Sequence, residues 1–463
     1  VIRVTWAQPE DLVPHELVAS ADEGKDIDSL AARWSAAGGS LIAPVAGSTP
    51  EPASPALRTL ARDLLAELDT LPVPGALADR EPDDLAAIEQ LWPPQTAVDA
   101  PATPRGAGQL DVLAGRVHGA WLGRAAGCLL GKPVEKVPRH GIRAILESTG
   151  DWPLTRYFTA EGLDPAVAAE FPWNRRSATT SLRENIAGMP EDDDLNYPLI
   201  ALGLLEDAGS GFTTDDVARA WLAKLPGGRV FTAERIAYRN LLDGYEPDIA
   251  GAVRNPFREW IGAQIRTDVY GWTRPGDPRA AARLAWTDSR LSHSRSGRYG
   301  AMFVAAACAA AVVAGDVATV LDAAIAVVPP DSRYADAIRR GRELAASPLD
   351  DESALDELYR EFGRYHWVHA LNNSVLAAFA LARGDGDFVR SITLAVMGGW
   401  DTDSVGATVG SICGALSGAA ALPPEWVSPL RNRLATSIPG LDGVGFDELA
   451  ARTVSLVAAG AAG

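Results

Sequence analysis

The chain of 463 residues carries only three cysteines, Cys128, Cys308 and Cys413, each in a small apolar segment and none at a pairing distance from another. That excludes a disulfide framework and leaves buried free thiols in a reducing compartment as the expectation. Any Lys/Arg-rich run is also missing: 60 acidic side chains stand against 42 basic ones, a formal charge of −18. Such a surface repels phosphate backbones and anionic lipid, so nucleic acid and membrane are excluded as first partners, and an anionic substrate needs cations brought to it. Long hydrophobic runs are absent too. The longest, AMFVAAACAAAVVAG at residues 301–315, is too short to span a bilayer. The opening VIRVTWAQPEDL has neither the basic nor the apolar region of a secretory signal, and the expected location is the cytoplasm. No GxSxG elbow, Walker A loop or GxGxxG opening a βαβ unit occurs.

What is present reads as an ordinary globular chain, 47% hydrophobic and 22% charged, long enough for two or three domains. The stretch PPQTAVDAPATPRGAGQ, residues 93–109, has the composition of a linker and divides an N-terminal accessory unit, residues 1–104, from a main domain, residues 105–463. In the first unit DSLAARWSAAGG and LRTLARDLLAELDTL read as amphipathic helices, separated by PVAGSTPEPASP, with one strand expected at residues 1–6. Beyond the linker, alternating β-branched runs are scarce and small residues dominate, so the fold class expected is all-α.

Gly115, Gly119, Gly123, Gly127 and Gly131 recur at every fourth position, and so do Gly406, Gly410, Gly414 and Gly418. Residues four apart stack on one helix face, so each series makes a groove that a second backbone can enter. Each glycine costs about 0.8–1.0 kcal/mol of helix propensity relative to alanine. The economical expectation is that the two series pack against each other, with room for a ligand at their ends near Gly127, Gly131 and Gly406.

Two acidic clusters accompany the ridges. Glu191, Asp192, Asp193 and Asp194 precede the apolar run 199–205, with Pro198 marking a helix start. Asp401 and Asp403 precede Gly406. As a plain feature, such carboxylates cap helices and are favoured by the helix dipole. They also repel one another, and a hard divalent cation removes that repulsion. Magnesium takes six oxygens and keeps several waters, so two or three carboxylates per ion suffice. The two motifs could hold one ion or a pair about 3.5–4 Å apart.

The EDDD run ahead of a helix, the late GGWDTDSVGATVG and the opening GAWLGRAAGCLLGKPVE together resemble the ADP-ribosylglycohydrolase family, with SHSRSGRYGAMFVAAA and HALNNSVLAAFAL falling within the similarity. The resemblance implies an all-α orthogonal helical core and a magnesium-dependent hydrolase, with two magnesium ions or manganese in their place. Its implied metal ligands are Asp192, Asp193, Asp401, Asp403 and Ser404, with Glu191 as a further oxygen donor. Glu191 and Asp194 stand where the family has threonines, Cys128 where it has an aspartate, and Trp400 where it has a glycine. Glu135 matches a glutamate that some members use near the scissile bond, giving Glu135, Asp192 and Asp401 as implied catalytic residues. His293 is implied to border the pocket, Asn372 and Asn373 are candidates for holding sugar hydroxyls, and Trp400 adds an aromatic face. His366 and His369 form an HxxH pair without a third ligand in view, which argues against zinc.

The resulting expectation is hydrolysis of a ribosyl N- or O-glycosidic bond, in an ADP-ribosyl-protein or an ADP-ribose-derived substrate. A nucleoside or other small ribosyl compound is the enzymatic alternative, and a non-catalytic ADP-ribose binder or crystallin-like structural member is the other. Retention of the four core aspartates favours an enzyme. Oligomeric state is left open by the sequence.

Overall fold

In the computed structural model, residues 2–45, 47–94, 107–174 and 177–460 are described, and every regular element among them is helical. Only three isolated β-bridges interrupt this, none extended into a strand. The strand expected at residues 1–6 is absent from residues 2–6. Trp6 turns the chain with φ 59° and its N–H donates to the Gly47 carbonyl at 2.6 Å, with no neighbouring strand to pair.

The glycine series explain the centre of the molecule. Helices Ala107–Gly131 and Thr402–Ser417 run antiparallel in direct backbone contact. A methyl group built on Gly119 would lie 2.3 Å from the Gly414 carbonyl oxygen, on Gly123 2.1 Å from that of Gly410, and on Gly127 1.9 Å from that of Gly406. No side chain longer than hydrogen fits at these crossings. At such an approach Cα–H groups and carbonyls of facing helices interact directly. The register carries on to the helix ends, where the Thr402 hydroxyl donates to the Gly131 carbonyl at 2.8 Å. Packing the ridges together therefore brings Lys132 beside Asp401 and Asp403. The wholly buried helix Arg295–Ala311 and the apolar helix Ala370–Gly384 flank this pair.

The third helix that matters, Asp193–Ala208, begins at the acidic run and contains Pro198 in its second turn. Proline has no N–H, so the carbonyl four residues earlier loses its helical partner. That carbonyl is Asp194, and it accepts from Arg124 Nε at 2.8 Å instead. Proline thus frees an acceptor that docks this helix onto the first glycine helix.

The expected N-terminal helices appear as Asp28–Ala36 and Pro55–Asp69, joined by Pro9–Asp22, Gly75–Arg80 and Leu85–Gln90. The sequence hid Pro9–Asp22 because its buried face includes Glu10, Asp11 and Glu16 rather than an apolar stripe. These acids are paired: Arg3 reaches Glu10 at 3.1 Å and Asp11 at 3.0 Å, and Arg258 reaches Glu16 at 2.8 Å. One hydrophobic core runs without a break from Trp6 to Val457. The expected division at residues 104 and 105, and most of the linker, lie outside the described residues. Among the described residues no helix is long and apolar enough to cross a membrane.

Gly123→Ala is expected to lower unfolding free energy by about 3 kcal/mol, since overpacking a backbone contact has no side chain to move aside. Gly115→Ala, where nothing lies within 4 Å, is expected to stabilise by up to about 1 kcal/mol through helix propensity. Urea melts of the two variants check both signs.

Candidate active site

Two helix N-termini converge. Asp192 caps Asp193–Ala208, its Oδ1 accepting from the Asp194 N–H at 2.9 Å, and Asp401 sits at the N-cap of Thr402–Ser417. Unsatisfied N–H groups and the helix dipole favour carboxylates at both places. The clusters touch through Ser404, whose hydroxyl donates to Asp194 Oδ2 at 3.1 Å. Asn373 Oδ1 accepts from the Asp401 N–H at 3.1 Å and fixes the second helix start.

Two sets of potential ligand atoms result, each lying within 4.8 Å of one another: Glu135 with Asp401 and Asp403, and Cys128 with Asp192 and Asp194. The sets differ in their cations. Arg124, fully buried, makes two 3.0 Å bonds to Asp268 and a 3.3 Å contact to Asp194, while Lys132 Nζ sits on Asp192 Oδ2 and 3.1 Å from the Glu191 carbonyl. Among the described residues no Lys or Arg nitrogen comes within 4 Å of the Asp193, Asp401 or Asp403 carboxylates.

Protonation follows from this. Burial, then Asp403, pushes the Asp401 carboxyl well up, and burial with Glu135 and Asp192 pushes Asp403 up to about 7. Asp193 and Asp194 are raised by burial and by Asp192. Asp192 alone is lowered: burial works against it, but the Lys132 ammonium prevails. Burial and the same aspartates raise the Cys128 thiol, which stays a packed, protonated group. All three cysteines are free and buried. The available donors are thus carboxylate oxygens crowded together at raised pKa, and that donor set fits a hard divalent cation.

A cavity of about 280 Å³ opens on these groups, lined by Asp192, Asp193, Asp194, Asp401, Asp403, Ser404 and Glu135. Asn174 Nδ2 donates to Glu135 at 2.5 Å and Lys136 pairs with it at 2.9 Å. Lys136 also lies 5.2 Å from the Trp367 ring centre. The Tyr197 hydroxyl and the Trp367 N–H are buried without partners on the same wall. Thr5 and Trp6 complete the far side, with the Thr5 carbonyl accepting from Arg235 at 2.8 Å. An adjoining cavity of about 570 Å³ shares Lys132, Asp192 and Asp193.

Several expected residues lie elsewhere. The Glu191 side chain turns out to Arg229, Asn196 and the Ser437 N–H, and lines the adjoining cavity rather than the main one. Trp400 does not line the main cavity. It takes the left-handed φ of 61° that a glycine would hold without strain, and stacks on Tyr359 at 4.4 Å. His293 is buried behind Glu234, bonded to Ser292, rather than at the cavity wall. Asn372 and Asn373 donate to the carbonyls of His366, Trp367 and His369, and neither lines the main cavity. His366 stacks on Trp260 and His369 on Tyr365.

Sequence reasoning missed Arg124, Lys132, Asn174, Tyr197 and Trp367. Only Arg124 carried a clear signal: it is the one charge in the apolar, glycine-spaced stretch 119–131, and such a charge requires a buried partner.

A family model described as ADP-ribosylglycohydrolase matches residues 110–460. An uncharacterized protein of Archaeoglobus fulgidus is 26% identical over 319 residues, 67% of this chain and 90% of that protein. A solved chain described as an ADP-ribosylglycohydrolase-related protein complex is 23% identical, with a TM-score of 0.46, over 75% of this chain and 99% of its own.

Asp403 titrates near 3.8 when unfolded and near 7 when folded, so between those values the folded state holds a proton that the unfolded state has released. Its contribution to stability is full below about pH 4 and is lost as pH rises through about 7. Buried His15, lowered to about 4 by burial, acts in the opposite direction but equally in a variant. In chelator, the stability of the unmodified protein relative to Asp403→Asn is therefore expected to fall steadily from pH 4 to 7, the always-neutral variant gaining the advantage. A flat difference would contradict the raised pKa.

Proposed function

The chain belongs to the ADP-ribosylglycohydrolase family, and from that premise we propose that it is a magnesium-dependent hydrolase cleaving a ribosyl N- or O-glycosidic bond in an ADP-ribosyl-protein or ADP-ribose-derived substrate. The observation that carries the reading is the meeting of residues 192–194 with residues 401–403 on one cavity that also holds Glu135. Asp401 and Asp403, with one oxygen of Glu135, would hold a magnesium ion, which would supply orientation of ribose hydroxyls and a more acidic bound water.

The chain's own groups do the rest. Hydrolysis breaks the bond from the anomeric carbon to the leaving group and forms a bond to water oxygen, so one proton must leave the water and one must reach the leaving group. Glu135, at the cavity edge and oriented by Asn174, is placed to move such a proton. Oxocarbenium character at the anomeric carbon is stabilised by the surrounding carboxylates. The unpartnered Tyr197 hydroxyl and Trp367 N–H offer hydrogen bonds to sugar oxygens. Dry walls formed by Trp6, Phe231, Ile261 and Val368 exclude bulk water.

One observation favours a smaller substrate. Among the described residues both cationic side chains of the cavity wall are engaged, Lys132 by Asp192 and Lys136 by Glu135, so neither of them is an uncommitted cation for a diphosphate. The main cavity also falls just below the roughly 300–1,000 Å³ usual for ligand pockets. A nucleoside or other small riboside is the second reading.

Thermal shifts with magnesium, chelator, ADP-ribose and plain ribosides separate the two. A ligand at a hundredfold excess over Kd stabilises by about 2.7 kcal/mol. Magnesium-dependent stabilisation by ADP-ribose, with release of ADP-ribose from modified arginine or serine, supports the first reading; stabilisation by ribosides alone selects the second. Asp401→Asn and Glu135→Gln are each expected to lower kcat by about 10²–10⁴-fold. Full activity in chelator would refute metal dependence.

A further inference from the structure

The two sets of ligand atoms are not equivalent, because one already contains a cation. Lys132 follows the last glycine of the first ridge, in the short 3-10 helix Lys132–Val134. Its stem is anchored where the two glycine helices meet, and its ammonium lies on Asp192 Oδ2 and the Glu191 carbonyl. A second metal ion at Asp192 would draw on these same lone pairs. Two further groups of that side are engaged as well, while Asp193 has no Lys or Arg within 4 Å among the described residues. Asp194 accepts from Arg124 and Ser404, and the Glu191 carboxylate is bound to Arg229.

On the opposite side Glu135, Asp401 and Asp403 present three oxygens within 4.8 Å, and among the described residues neither aspartate has a Lys or Arg within 4 Å. A divalent ion entering there meets carboxylates and one peripheral ammonium, Lys136. An ion entering beside Asp192 would have to expel an ammonium whose side chain is only 10% exposed, leaving that charge buried and unpaired. Removing one partner from a buried ion pair is strongly unfavourable.

We infer that the Lys132 ammonium occupies one of the two cation positions of this centre, so that the protein takes a single divalent ion, held by Glu135, Asp401 and Asp403. The inference rests on the metal-hydrolase reading above and deepens it. Lys132 is then a built-in monovalent cation: it keeps Asp192 ionised and orders the start of the Asp193–Ala208 helix.

Equilibrium dialysis of the full chain against Mn²⁺, with electron paramagnetic resonance of the bound ion, tests this without reference to turnover. The unmodified protein is expected to bind one Mn²⁺ per chain with an uncoupled six-line spectrum. Lys132→Met, which keeps the stem and removes the charge, is expected to bind two with a spin-coupled spectrum. Two ions in the unmodified protein, or one in both proteins, overturns the inference and leaves the metal-hydrolase reading standing. No bound ion in the unmodified protein overturns both. Should Lys132→Met fail to fold, Lys132→Gln serves the same comparison, and a count of two in the unmodified protein is decisive against the inference by itself.

Discussion

Contact between two bare strips of helix backbone holds the candidate site in place. At Gly119, Gly123 and Gly127 the facing chain is so near that a methyl group would overlap a carbonyl oxygen. Side-chain packing can relax by rotamer changes, whereas backbone against backbone has almost no slack. A constellation of oxygens must be held to about half an ångström to bind a cation or orient a sugar. Here that tolerance comes from the ridges, whose ends deliver Lys132 and Glu135 from one helix and Asp401 to Ser404 from the other. The lost helix propensity of each glycine is small beside what the close contact fixes.

Charge is the second constraint. Six carboxylates share a small volume, and burial raises several of them well above their usual range. Two helix N-termini, one buried guanidinium and one buried ammonium hold this repulsion in check without removing it. The residual imbalance falls on Asp193, Asp401 and Asp403, which have no cation of their own within 4 Å among the described residues. Repulsion retained at one place is what makes that place attractive to a cation, so the site gives up stability in the free protein for binding.

Periodicity was the most legible feature. A glycine every fourth residue maps directly onto one helix face, and two such series have each other as the obvious partners. The pairing of 192–194 with 401–403 was legible for a related reason, since both runs stand at the head of a helix. Direction was not legible. Glu191 is adjacent to Asp192 yet points to Arg229, and Trp400 is adjacent to Asp401 yet stacks on Tyr359. Neighbours at a helix start leave the axis at different angles, and the partner each finds lies on an element remote in sequence. Asn373 was close to the site by position but serves the Asp401 backbone rather than a sugar. The contribution of Thr5 and Trp6 to the cavity wall had no local signature at all, because it depends on helices more than two hundred residues away.

The span of these contacts also bears on how the molecule is made. The Ser404 hydroxyl reaches Asp194 across 210 residues, and Thr402 reaches Gly131 across 271. During synthesis the first ridge leaves the ribosome long before the second exists, exposing a strip of glycine backbone with nothing to fill it. A chain stopped before residue 401 therefore carries Asp192 to Asp194 and Glu135 without the opposing carboxylates, and with its central groove open to other chains. Completion of the acidic centre therefore coincides with closure of the core, so unfinished chains lack the assembled cluster of carboxylates.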